Sequence, residues 1–339
     1  MGEHDGDNQH HPEKGKWWEN GRPSVKPERP HKPRLTLKYE AFLAQQTPIV
    51  VRGIKTDDDI EKVIVPHTKQ DFTIEERKGT VLPVTILTAN EKGHDAIGLS
   101  MGHDGKLGIA VADGVTNCAT PVGASQTLVA ASLDAMDKGD LSSRTLSDAS
   151  DAFHTVGWEH TAREYAQRMR DDTYRMRLKQ YIDEDRIAAS TLALGQYNPD
   201  TGDVQVVIGG DSGAAVIRHG GGIERYEGNN DHILNYHPDP DWQYDPAGAM
   251  VARLKLQKGD IMLFYSDGLR EDIFEEIKEK VVKGNEDSNR LDKKIAIFIR
   301  ERMKTAGVGD DVSVVALHHN PEKVKPWWGG ETPNRVNAQ

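Results

Sequence analysis

At 339 residues, 29% charged and 36% hydrophobic, the chain can form one large domain or two ordinary ones, and it reads as globular with some disordered polar material. A net charge of −11 without a concentrated basic stretch argues against nucleic-acid binding, although divalent cations at an acidic site would still admit a phosphorylated substrate. One cysteine, Cys118, leaves no internal disulfide or cysteine-based zinc site, and with no membrane-length apolar run or signal peptide the expectation is a cytoplasmic protein without membrane contact.

Residues 1–34 hold five of the sixteen prolines and four of the fourteen histidines and lack apolar periodicity, which predicts a disordered polar tail. Met1-Gly2 opens like a myristoylation site, but Gly6 stands where Ser or Thr is required. Residues 35–79 carry two short strand candidates, Ile49-Val50-Val51 and Val63-Ile64-Val65. They read as an N-terminal extension, either a docking segment or an edge addition to the main domain.

From residue 80 to 318 the character changes. Apolar runs recur as VLPVTILTA, IGLSM, LGIAVA, STLALGQY, VQVVIGG, AAVIRH, IMLFY and VSVVAL, bounded by Gly, Asp and Asn, which is strand-and-turn chemistry. His103-Asp104-Gly105-Lys106 and Pro199-Asp200-Thr201-Gly202 read as hairpin turns. Apolar residues at three- and four-residue steps predict helices over 158–182, 270–282 and 290–304, and an Ala-rich stretch opened by Pro predicts another over 121–137. The sum is an α+β domain of packed sheets with helices outside. Residues 319–339 form a polar C-terminal tail. The pairs Trp17-Trp18 and Trp327-Trp328 could anchor a protein partner or fold back on the domain.

The chemistry lies in where the aspartates stand. LGIAVADG and IMLFYSDG are apolar strands ending in Asp113-Gly114 and Asp267-Gly268. Asp310-Asp311 precedes a third strand, and Asp95 begins a fourth. A turn or helix cap explains any one of these alone. Jointly they describe carboxylates held rigidly at strand ends, and hard oxygen donors of this kind select Mg2+ or Mn2+.

The order of motifs resembles the metal-dependent protein phosphatase family (PPM, type 2C). The resemblance rests on His94-Asp95-Ala96, Ala112-Asp113-Gly114, AASTLALG at 188–195, GGDSGAAVIRHG at 209–220, GDIMLFYSDGLRED at 259–272 and GDDVSVVAL at 309–317. It covers about residues 80–318. It implies two packed antiparallel β-sheets flanked by helices, an α-β-β-α sandwich, and a serine/threonine protein phosphatase holding two Mn2+ or Mg2+ ions, or three. Asp113 would bridge two ions and Gly114 would offer its carbonyl to one. Asp267 and Asp310 would complete the other shell, with Asp95 acting through bound water. Asp113 and Asp267 would be the catalytic pair, with a water bridging the ions attacking phosphoserine or phosphothreonine directly. Asp211 and Ser212 would support the site, and Asp311 would stand beside Asp310 without coordinating.

Five positions depart from the family pattern. Asn90 occupies the place of a phosphate-gripping Arg, His94 that of a Glu, Val115 that of a proton-donating His, and Thr116-Asn117 that of paired glycines. These departures keep two other readings open: a regulatory or scaffold protein with weakened catalysis on the same fold, and a hydrolase of small phosphorylated metabolites. Residues 228–249, long and rich in Pro and Asp, are a candidate substrate-contacting flap or a plain surface loop.

Overall fold

In this computed structural model the described residues are 49–52, 71–73 and 84–320, except 90–92, 103, 156–161, 164–166, 168–170, 185, 237–243, 270, 283–290 and 307–310. Six strands form the first sheet, in the order β1 (Ile49–Arg52), β4 (Asp95–Met101), β5 (Leu107–Asp113), β7 (Leu192–Tyr197), β8 (Asp203–Gly209) and β12 (Met250–Lys255). Six form the second, in the order β10 (Ile223–Glu227), β9 (Gly213–Ile217), β13 (Ile261–Tyr265), β14 (Val312–His318), β3 (Val84–Ala89) and β2 (Asp71–Thr73). A short pair, β6 (Ala189–Ser190) with β11 (Leu234–Asn235), lies apart from both. The helices are α1 (Pro121–Met136), α2 (Ser143–Thr155), α3 (Asp172–Asp183), α4 (Glu271–Ile277), which runs on into a π-helical turn at Lys278–Val282, and α5 (Leu291–Ala306).

Side-chain alternation along each strand builds three apolar layers. On β5, Leu107, Ile109 and Val111 face the other sheet, while Ala110 and Ala112 face the α1–α3 layer. On β13, Met262 and Phe264 point between the sheets, while Ile261, Leu263 and Tyr265 pack with α4 and α5. With both faces covered, the strands read as unbroken apolar runs. Helix α1 lies so close that a Cβ on Gly98 would sit 2.5 Å from Val129 Cγ1. Between the sheets, the Phe264 ring occupies the space a Cβ on Gly195 would need, and Phe264→Ala would cost about 3–5 kcal/mol.

The α+β sandwich is as the sequence implies, and both hairpins form. Asn198 N donates to Asp203 O at 2.8 Å across the second turn, where Gly202 takes a φ of +76°. Other particulars differ. Strand β1 joins β4 in parallel register, Ile49 opposite Ile97, within an otherwise antiparallel sheet. Helix α2 was not predicted, because Ser, Thr and Asp interrupt the spacing of Leu146 and Ala149. Strand β12 also escapes an apolar-run search, since as a sheet edge it alternates half-buried and exposed residues. Of the helix predicted over 158–182, α3 forms the last part, while much of the first part lies outside the described residues, as does the strand candidate at Val63–Val65. Order runs past residue 318: His319 N donates to Asp260 O at 2.9 Å, and His319 and Asn320 are buried. Both tryptophan pairs lie outside the described residues. Among the described residues no helix is long and apolar enough to cross a membrane.

Candidate metal centre

Antiparallel pairing gathers the acidic strand ends at one end of the sandwich. The β4–β5 register sets Asp95 directly opposite Asp113. In the other sheet β13 leads out toward Asp267, beside the start of β14 at Asp311 and Val312. Ser266 joins the two sheets, its hydroxyl donating to Asp95 Oδ2 at 3.0 Å and accepting from Ser313 N at 2.9 Å.

The backbone around these carboxylates is held from several sides. His94 N donates to Asp311 Oδ2 at 3.0 Å, and His94 O accepts from Gly114 N at 3.1 Å and from Ser125 Oγ at 2.5 Å. Asp113 O accepts from Ser190 Oγ at 2.6 Å and Thr191 N at 2.9 Å. Thr191 in turn shares a 2.6 Å hydroxyl contact with Ser212, which is fully buried. Two glycines are dictated by close approach. A Cβ on Gly114 would run into the Pro121 carbonyl at the start of α1, and one on Gly268 into the Asp311 carbonyl.

Among the described residues the electrostatics are those of carboxylates without cations. Asp95 is fully buried, its Oδ1 receives no hydrogen bond, and the groups that shift its pKa are carboxylates and serines. Its carboxyl is raised to about 7: burial is the largest influence, contact with Asp113 lowers it, the Asp311 charge raises it, and the Ser313 and Ser266 hydroxyls lower it. Asp113 is held far above the usual carboxylate range, first by burial and then by Asp95 and Asp267, both within hydrogen-bonding reach. Both carboxyls are thus protonated far more readily than free ones when no cation is near. Two like charges in direct cross-strand register oppose folding unless something positive separates them.

The structure brings Asp95, Asp113, Gly114 and Asp267 together, with Asp113 at the centre and Asp267 exposed at the mouth. Ser212 lies behind Thr191, and Asp211 is half-buried at the turn before β9. Asp310 and Asn90 fall outside the described residues. Among the described residues no group of three or more His, Cys, Asp or Glu side chains forms a ready metal cage. The donors fit Mg2+ or Mn2+ in kind, being hard oxygens, one of them buried without a donor. Sequence reasoning missed three positioning groups, Asp311, Ser190 and Ser266. Each stands inside a quoted motif, but its hydrogen bond crosses from one strand to another and leaves no local signal.

Beside this centre lies a cavity of about 490 Å3. Val115, next to Gly114, lines it together with Cys118, Arg186 and Ala189. Residues 231–233, 235–236 and 244–245, from the segment read as a candidate flap, form another part of its wall. That wall is anchored: Leu234 and Tyr244 are buried, Tyr236 N donates to Ala188 O at 2.8 Å, and the His232 ring packs where Gly248 has no Cβ.

Comparison with known proteins follows this geometry. The serine/threonine phosphatase Stp1 from Staphylococcus aureus shares the fold at a TM-score of 0.51 and 15% identity, covering 72% of this chain and 98% of that one. A point variant of a bacterial serine phosphatase does so at 0.51 and 15%, covering 71% and 100%. No curated protein matches the chain. The family profile of stage II sporulation protein E (SpoIIE) matches residues 124–320, more than half of the sequence. The chain therefore belongs to the SpoIIE family of PPM-type phosphatases.

Proposed function

We propose that the protein hydrolyses phosphoserine or phosphothreonine in a protein substrate, with Mg2+ or Mn2+ held by Asp95, Asp113, the Gly114 carbonyl, Asp267 and Asp310. The observation that carries this reading is the buried Asp95–Asp113 pair, set opposite each other in register with no Lys or Arg among the described residues shifting either carboxyl. Family membership supports it independently.

When bound, the ions supply positive charge for the phosphate oxygens and an activated water for the attack. The chain's own residues position that chemistry. Asp113 is the central carboxylate, fixed through its backbone carbonyl by Ser190 and Thr191, with Ser212 bracing Thr191. Ser266 holds Asp95, and Asp311 holds the backbone at His94. Asp267, exposed at the mouth, stands where substrate arrives. The proton on the Asp95–Asp113 pair leaves as cations bind, so metal affinity rises with pH.

The test is turnover of a phosphothreonine peptide and of p-nitrophenyl phosphate with Mn2+, Mg2+ or EDTA. Metal-dependent hydrolysis is expected, falling on the order of 10³-fold in Asp113→Ala. Turnover that survives EDTA or that substitution would refute the assignment. Metal binding without turnover would leave a regulatory protein on a phosphatase fold.

A further inference from the structure

The cavity beside Val115 has a chemistry that the metal centre does not use. Its floor is apolar, made by Val115, Ala188 and Ala189, and Tyr244 adds aromatic surface. Among the described residues its one Lys or Arg is Arg186, whose guanidinium is paired with Glu184 and stacked 4.9 Å over the Tyr181 ring. The cation is thus already neutralised within its own segment.

Two carboxylates also line the cavity. Asp245 Oδ1 accepts from Ala247 N at 2.9 Å. Asp231 is exposed, and its carboxylate has no hydrogen bond or ion pair among the described residues. An apolar floor under an uncompensated negative rim suits a side chain with a hydrocarbon stem and a cationic head, which buries the stem and leaves the charge at the edge. The volume is within the range of small-ligand pockets.

Position narrows the ligand. Val115 both lines the cavity and follows Gly114 in sequence, and Ala189 precedes Ser190, which holds the Asp113 carbonyl. An extended peptide advances about 3.3 Å per residue, so a side chain within about three residues of a phosphorylated serine or threonine at the metal centre falls in reach. We propose that this cavity is a specificity pocket for a Lys or Arg side chain flanking the phosphorylated residue of the substrate. The proposal rests on the phosphatase reading and adds the substrate's sequence character to it.

The experiment uses the full chain and phosphothreonine peptides identical except for Arg, Ala or Glu at each of the three positions on either side. The readout is the Arg-to-Glu ratio of kcat/KM in Mn2+, compared among wild type, Asp231→Asn and Asp231→Lys. Binding of the unphosphorylated peptides is followed by fluorescence anisotropy in EDTA. Wild type is expected to favour Arg at one position by about tenfold. Asp231→Asn is expected to weaken that ratio, and Asp231→Lys to abolish or invert it. A loss of folding would change rates for all peptides and not the ratio. Equal turnover of Arg and Glu peptides, or a preference that survives Asp231→Lys, would overturn the pocket while leaving the phosphatase reading intact. An effect of Asp231→Lys confined to small phosphate esters would assign the cavity to metabolites and overturn it too. If no substrate turns over, the phosphatase reading fails and anisotropy alone decides: an Arg preference lost in Asp231→Lys upholds the pocket, and its absence removes it.

Discussion

Strand β13 carries an aspartate just beyond each end, and the two ends of the sandwich treat buried carboxylates in opposite ways. At the end where β13 begins, Asp260 is 1% exposed and fully satisfied. It accepts from Arg218 Nη1 at 2.8 Å, His219 N at 2.9 Å and Gln257 N at 2.8 Å. At the end where β13 finishes, Asp95 is 0% exposed, receives one serine hydroxyl, leaves Oδ1 without a donor and faces another carboxylate. A carboxylate that serves structure is paired and hydrogen-bonded, because burial otherwise costs too much. Among the described residues nothing gives the Asp95–Asp113 pair the cationic partner that Asp260 has.

Exchanging the two sites' roles by substitution gives the largest contrast. Asp113→Ala should remove on the order of 10³-fold of turnover while leaving thermal unfolding of the metal-free protein unchanged or raised. Asp260→Ala should do the reverse: it strands the backbone donors of His219 and Gln257, leaves Arg218 with Glu224 and the Lys255 carbonyl, and costs about 2–4 kcal/mol, with kcat per folded molecule unchanged. Melting curves with single-turnover rates on the same samples check both. A loss of activity in the folded fraction of Asp260→Ala would break the contrast.

A smaller effect concerns pH. In EDTA the folded protein keeps a proton on the Asp95–Asp113 pair that the unfolded carboxylates, with pKa about 3.9, release. Asp95's contribution to stability is therefore fully present below about pH 4 and is lost as pH rises through about 7, while that of Asp113, held higher still, is lost only above that. Melting temperature in EDTA should fall between pH 5.5 and 8, and Asp95→Asn should flatten the slope. Mn2+ should raise the melting temperature more at pH 8 than at pH 5.5, since binding requires the proton to leave.

The smallest effect concerns Ser266. Ser266→Ala removes a hydroxyl donor to Asp95 Oδ2 and the acceptor for Ser313 N. It should cost about 1–3 kcal/mol and lower Mn2+ affinity about tenfold, read by denaturant titration and by metal-dependent rate curves.

The contrast between the two ends also marks what the sequence could show. Asp113 and Asp267 were legible because each ends an unbroken apolar strand. Asp260 precedes the same strand as plainly as Asp267 follows it, and pattern alone cannot separate a salt-bridged aspartate from a metal ligand. The facing of Asp95 and Asp113 depends on the β4–β5 register, which follows from a hairpin turn whose exact pairing the sequence leaves free. The cavity wall was visible only as a Pro- and Asp-rich stretch. Its anchoring through Leu234, Tyr244 and Gly248 is tertiary packing, without a local period to betray it.

The most direct test of the central claim is a calorimetric titration of the wild type and Asp113→Asn with Mn2+ at neutral pH, repeated in buffers of different ionisation enthalpy. The account predicts binding by the wild type with proton release, and binding by Asp113→Asn that is at least tenfold weaker and releases fewer protons. Equal affinity and equal proton release in the two proteins would contradict it.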